Sequence, residues 1–188
     1  MEKRISDWLR RFSTGRMTLL ALAVFVAFVA LVLPQQADTA AEASGGAGSP
    51  DMSFVYSAAK LYDWAEAYGA SGRQAYVRAR FTFDLIFPLV YLFFLATALS
   101  WVSVHAFPPH SPWQLANLAP PLGALFDYLE NVSASVVMLR YPAQTPLVDL
   151  LAPLFTVLKW LFLGASFILL AVGLLKLGFS SAKRRGQR

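Results

Sequence analysis

The chain contains no cysteine in 188 residues. That excludes disulfides, thiolate metal sites, Fe–S clusters and cysteine nucleophiles together. Charge is also scarce: Asp, Glu, Lys and Arg make up 14% and hydrophobic residues 57%, where a soluble domain carries nearer a quarter charged. The two histidines, His105 and His110, share a proline-rich loop with no nearby acid. Zinc needs three or four converging ligands, and neither histidine lies mid-span where a bundle would ligate haem, so neither a metal nor a cofactor is expected. No glycine-rich phosphate loop, GxSxG or HExxH is present. The formal charge of +5 is not a nucleic-acid footprint, because of 16 Lys and Arg five lie in residues 1–16 and five in 176–188, flanking the apolar block. That is the distribution of cytoplasmic ends.

Four long apolar runs remain. Residues 17–33, 81–104, 115–139 and 147–175 are each long enough to span a bilayer. With four spans both basic termini fall on one side, so helix count and charge bias predict a multi-pass protein of the inner (plasma) membrane with cytoplasmic termini. The expected fold class is all-α, an integral membrane four-helix bundle. Residues 1–16 read as a basic amphipathic segment on the inner surface, with Ile5, Trp8, Leu9 and Phe12 on one side. An unstructured basic flank is the alternative reading. The first span reads as an uncleaved anchor, with Ala41-Glu-Ala43 as the cleavage site if it is instead a signal peptide.

The Gly/Pro/Ser composition of residues 34–53 predicts a flexible outer linker. Residues 54–80 read as outer interfacial helices: Ser57 caps the first, Gly69 ends it, and Ser71 opens the second. Residues 105–114 are then an inner loop, 140–146 an outer turn and 176–188 a basic inner tail.

The third span carries charge. Asp127, Glu130 and Asn131 are spaced i, i+3, i+4 and share one helical face. Ionisable groups at bilayer depth face a protein interior or a cavity. Asn131-Val-Ser133 matches a glycosylation sequon, but its position within a span excludes that chemistry. On the fourth span Asp149, Ala152, Thr156, Lys159, Ser166 and Gly173 keep one face. Counting from the turn between the two spans places Lys159 and Asp127 at one depth, about 20 Å from the turn at 1.5 Å per residue. A Lys159–Asp127 pair is therefore predicted. Asp127, Glu130 and Lys159 are the candidate catalytic residues; Asp84, Tyr91, Asn131 and Thr156 are candidate ligand contacts. Two acids beside one Lys lead to the expectation that one acid keeps its proton near neutral pH.

Ala67-Tyr-Gly-Ala-Ser-Gly-Arg-Gln-Ala-Tyr76, Phe83-Asp-Leu-Ile-Phe-Pro-Leu-Val-Tyr91, Phe126-Asp-Tyr-Leu-Glu-Asn131 and Leu158-Lys-Trp160 together resemble a group of uncharacterised bacterial four-span membrane proteins. That resemblance covers roughly residues 54–177 and implies the same topology, with no activity attached. The acid-before-proline arrangement of Asp84 and Pro88 also resembles EXPERA-type four-helix proteins, in architecture only. Three functions follow from the residues: an accessory or scaffold protein whose polar cluster locks the helices, an embedded enzyme or binder for a lipid-like ligand, and a proton-coupled permease acting as a homodimer. Membrane lipids are the common partner, and nucleic acid is not one.

Overall fold

A computed structural model describes residues 2–185. The chain is 84% helical, without a strand among the described residues. Its helices are α1 Glu2–Phe12, α2 Gly15–Ala27, α3 Leu33–Ala43, α4 Ala58–Ala67, α5 Gly69–Arg80, α6 Phe83–Ala106, α7 Ala119–Arg140 and α8 Val148–Arg185. A π turn over Phe28–Val32 joins α2 and α3. Four helical stretches are long and apolar enough to cross a membrane: Gly15–Ala43, Gly69–Ala106, Pro112–Arg140 and Val148–Ser180.

Two compact units divide the chain. The first comprises Met1–Phe25, Val90–Leu122 and Leu161–Arg188. Its α1 docks through polar groups. Ser6 Oγ donates to the Gln114 carbonyl oxygen at 2.9 Å and lies 2.8 Å from Asn117 Oδ1. Asn117 Nδ2 donates to the Ser6 carbonyl oxygen at 3.1 Å and to Ser100 Oγ at 2.9 Å. These bonds satisfy buried groups that would otherwise cost about 1–3 kcal/mol each. Ile5, Trp8 and Phe12 stay exposed on α1, which leaves the apolar stripe of this basic helix outward.

Val26–Leu89 and Gly123–Trp160 form the second unit. Its core joins Leu61, Trp64 and Ala65 of α4, and Tyr68 just after it, to Ala134, Val137 and Met138 of α7 and Ala152 of α8. Ser57 accepts from the Lys60 amide at 3.2 Å and caps α4. Gly69, at φ 63°, turns the chain directly into α5, so the second interfacial helix opens at Gly69 and Ser71 lies inside it. Glycine reaches that left-handed conformation without the steric cost of a Cβ.

The segment read as a flexible linker is ordered here. Its first half continues the preceding helix as far as Ala43, because Ala37, Ala40, Ala41 and Ala43 are strong helix formers. Its second half carries a 3-10 turn, Pro50–Met52, capped by Ser49. Trp64 Nε1 donates to the Ala47 carbonyl oxygen at 3.0 Å, Tyr68 hydroxyl to that of Gly48 at 2.6 Å, and Trp160 Nε1 to that of Ser53 at 3.2 Å. Small side chains and three indole or phenol donors, rather than an apolar core, hold it in place.

α3 and α5 approach closely at Gly72, where an added methyl would sit 2.5 Å from the Ala43 carbonyl oxygen and 3.0 Å from Tyr68 Cβ. Backbone oxygen cannot move aside as a flexible side chain would. Gly72→Ala should therefore lower stability by about 1–3 kcal/mol, the usual cost of overpacking. Gly164 has open space around its ideal Cβ, and Gly164→Ala should gain about 0.5–1 kcal/mol from helix propensity. Thermal unfolding of both variants in nanodiscs checks the contrast in sign.

Candidate functional site

The polar interior of the second unit is built around two cations. Lys159 of α8 extends its ammonium to α7, 2.5 Å from Glu130 Oε2 and 3.6 Å from Asp127 Oδ1. The i, i+3 spacing of the two acids puts both on the face that meets Lys159. Glu130 is fully buried and the Lys159 side chain is 6% exposed. The closer partner is Glu130, one helical turn beyond the Asp127 that the counting from the turn picks out.

Arg80 is the second cation. It ends α5, and Asp84 opens α6 four residues later, with Arg80 Nε 3.0 Å from Asp84 Oδ2. Asp84 also stands in the first turn of α6, where a carboxylate meets the positive end of the helix dipole. The other side of the guanidinium pairs with Asp51, and its plane lies over the Tyr76 ring at 4.6 Å. Asp51 is positioned by its own turn: Ser49 Oγ accepts from the Asp51 amide at 3.4 Å and donates to Asp51 Oδ2 at 2.8 Å.

Thus four carboxyls, Asp51, Asp84, Asp127 and Glu130, surround two cations, Arg80 and Lys159. Burial disfavours an ionised Asp51, but Arg80, Lys159 and the Ser49 hydroxyl outweigh it and hold the carboxyl below its ordinary 3.8. Lys159 therefore acts on Asp51 as well as on its contact partners. Tyr56 and Tyr68 move the other way: burial raises both, Glu130 raises Tyr56 further, and Tyr68 is pushed up to about 12. Both stay neutral hydroxyls at physiological pH.

Around this interior several buried groups lack a hydrogen-bond partner among the described residues: Glu130 Oε1, both amide atoms of Asn131, Ser135 Oγ and the Tyr76 hydroxyl. Thr156 is fully buried, with its Oγ1 3.2 Å from the Tyr56 hydroxyl and 3.0 Å from the Ala152 carbonyl oxygen. Of the residues singled out from sequence, Asp84, Asp127, Glu130, Asn131, Thr156 and Lys159 belong to this unit, whereas Tyr91 is buried in the other. Asp51, Arg80, Tyr56 and Tyr76 are additions. The i, i+4 spacing of Arg80 and Asp84 is a readable signal for one of them. Ser49-Pro50-Asp51, a cap followed by proline, is a weaker signal for another.

A cleft with about 450 Å³ of empty space, its open mouth included, lies between α3 and α5. Gln36, Thr39, Ser49, Tyr68, Tyr76 and Arg80 contribute its polar lining. Asp127, Glu130 and Lys159 do not line it. Among the described residues no group of three His, Cys, Asp or Glu is arranged to hold a metal ion. Comparison of the chain with protein-family models, curated proteins and solved structures gives no match in any of the three.

The Asp51 geometry sets a pH dependence. A carboxyl with a depressed folded-state pKa contributes stability above its unfolded value, and that contribution is lost as pH falls through the folded one. Asp51→Asn should thus be less stable than the native chain at pH 7, and the gap should close as pH falls below 3.8. Melting curves of the two proteins between pH 7 and pH 2.5 read this directly.

Proposed function

We propose that the chain is a multi-pass protein of the bacterial inner (plasma) membrane, with cytoplasmic termini, whose charged interior is a clamp for an accessory or scaffold role. The observation that carries this reading is the pairing of each cation with two carboxyls, at least one of them from another element of the fold. Lys159 ties α8 to α7, and Arg80 ties the Pro50–Met52 turn to the α5–α6 junction. Breaking one half of a buried pair costs about 3–5 kcal/mol, while replacing both halves by apolar residues is often neutral or better. Such pairs therefore specify helix register more than they add stability. The basic ends, residues 1–16 and 176–188, favour the orientation through the positive-inside bias. The resemblance to bacterial four-span proteins, carried by the Phe126–Asn131 segment among others, supports the assignment to a bacterial membrane.

A second reading is an embedded binder of a lipid-like molecule. It is favoured by the cleft that ends on Tyr76 and Arg80, since a concave site with a few convergent polar groups is the ordinary form of a ligand pocket. Enzymatic use of Asp127 and Glu130 has less support, because neither lines that cleft.

A stability cycle with a lipid readout separates the two. Lys159→Met and Glu130→Leu should each cost about 3–5 kcal/mol in nanodiscs, and the variant that combines them with Asp127→Leu should recover most of that loss. The clamp reading expects the recovered protein to keep the lipids that co-purify with the native chain. Recovery of stability with loss of a co-purifying lipid would favour the binder, and absence of coupling between the two positions would overturn the clamp.

A further inference from the structure

Within residues 49–56, Ser53, Phe54 and Tyr56 meet α8, and their contacts fix the level along that helix at which they lie. Tyr62 of α4 donates to Asp149 Oδ2 at 3.1 Å, in the first turn of α8. Tyr56 meets Thr156 two turns further on. Ser53 accepts from Trp160 Nε1, and the Phe54 ring lies 4.7 Å from that of Trp160. From Asp149 to Trp160 the helix axis is about 16 Å long at 1.5 Å per residue. The chain thus reaches Trp160 at Ser53 and Phe54 and returns past Thr156 at Tyr56 to α4. The hydrocarbon layer is about 30 Å thick, so with Asp149, a charged residue of the first turn of α8, at its outer edge, Trp160 lies roughly at its middle.

The side chains of this segment match that position. Met52, Phe54 and Val55 are 79%, 67% and 73% exposed, an apolar tip left largely uncovered by the described residues. Trp160, against which Phe54 packs, follows Leu150, Leu154 and Val157, apolar side chains of the same helix that are also exposed. Asp51, between them and the interior, turns to Arg80. Non-helical backbone at bilayer depth is tolerated only where its polar groups are satisfied by protein. The part of the segment from Ala47 to Ser53 is supported in this way: the carbonyl oxygens of Ala47, Gly48 and Ser53 accept from Trp64, Tyr68 and Trp160. Those of Ser49 and Pro50 accept from the Met52 and Ser53 amides at 3.2 and 3.0 Å.

We infer that residues 49–56 are a re-entrant segment whose Met52, Phe54 and Val55 side chains contact lipid acyl chains at the depth of Trp160. This rests on the membrane reading above and adds a lipid-facing surface to it. The segment covers the flank of the charged interior: apolar side chains meet lipid and Asp51 meets Arg80.

The absence of native cysteine makes the test direct. Met52→Cys, Phe54→Cys and Val55→Cys are spin-labelled one at a time in nanodiscs, with Leu150→Cys and Leu161→Cys as depth markers and Glu66→Cys as an aqueous control. Relaxation by dissolved oxygen and by a water-soluble nickel chelate is then compared. At positions 52, 54 and 55 the nickel effect should be lost and the oxygen effect strong, as at Leu161. Nickel relaxation at these three positions equal to that at Glu66, or oxygen accessibility no greater than at Leu150, overturns the re-entrant segment. Shielding from both reagents, as a second copy of the chain would give, also overturns it. Leu150 and Leu161 labels that are themselves nickel-accessible would instead overturn the membrane reading. Met52 and Val55, the two most exposed positions, keep the test open if Phe54→Cys disturbs the Trp160 contact.

Discussion

Lys159 brings an ammonium into a part of the chain where only 6% of its side chain is exposed, and much of the second unit follows from that placement. A buried ammonium without a counter-charge costs several kcal/mol even after relaxation. The α7 face opposite must therefore carry acid, and it does so twice, at Glu130 and Asp127. Arg80 repeats the arrangement between Asp51 and Asp84. Because Asp51 feels both cations, the two pairs act as one network rather than as separate bridges. A slip of one residue in either helix would carry a charge onto an apolar face. The network thus selects a single register for α7 against α8, and a single position for the turn at Pro50–Met52.

The surroundings of the network are arranged the other way round from a soluble core. Asp127, Glu130, Asn131, Ser133 and Ser135 of α7 are buried, while Leu125, Leu129 and Val132 of the same helix are exposed. In α8 Thr156 and Lys159 are buried, and Leu150, Leu154 and Leu161 are exposed. Polar residues inside and leucines outside are what a hydrocarbon environment demands. The first apolar stretch shows the same in the extreme: Ala21 is the one buried side chain of α2. Its role in the second unit comes from α3, where the seam with α5 depends on Gly72.

Much of this was legible from periodicity. Four apolar runs, the shared face of Asp127, Glu130 and Asn131, and the equal depth of α7 and α8 acids and base all rest on local repeat lengths. What local pattern could not supply was Asp51. Its neighbours are Gly, Ala, Ser and Pro, a composition that reads as a mobile linker. Its order comes instead from Trp64, Tyr68, Arg80 and Trp160, contacts that span up to 107 residues of sequence. The helix over Leu33–Ala43 was missed for a different reason: small residues mark both linkers and good helices, and here alanine propensity prevails. Tyr91 shares a helical face with Asp84 by spacing, yet the chain divides between Leu89 and Val90.

The length of the connection between Ala43 and Ala58 has a physical reason in this light. Structureless connections of this size are uncommon in compact folds, and those that exist are usually functional. A chain that only had to turn from α3 into α4 would need a few residues. This one carries Asp51 to Arg80, Ser53 to Trp160 and Tyr56 to Thr156 before α4 begins. Shortening it would withdraw Asp51 first and leave Arg80 with Asp84 alone. The segment with the least distinctive composition therefore completes the charge pairing on which the second unit is built.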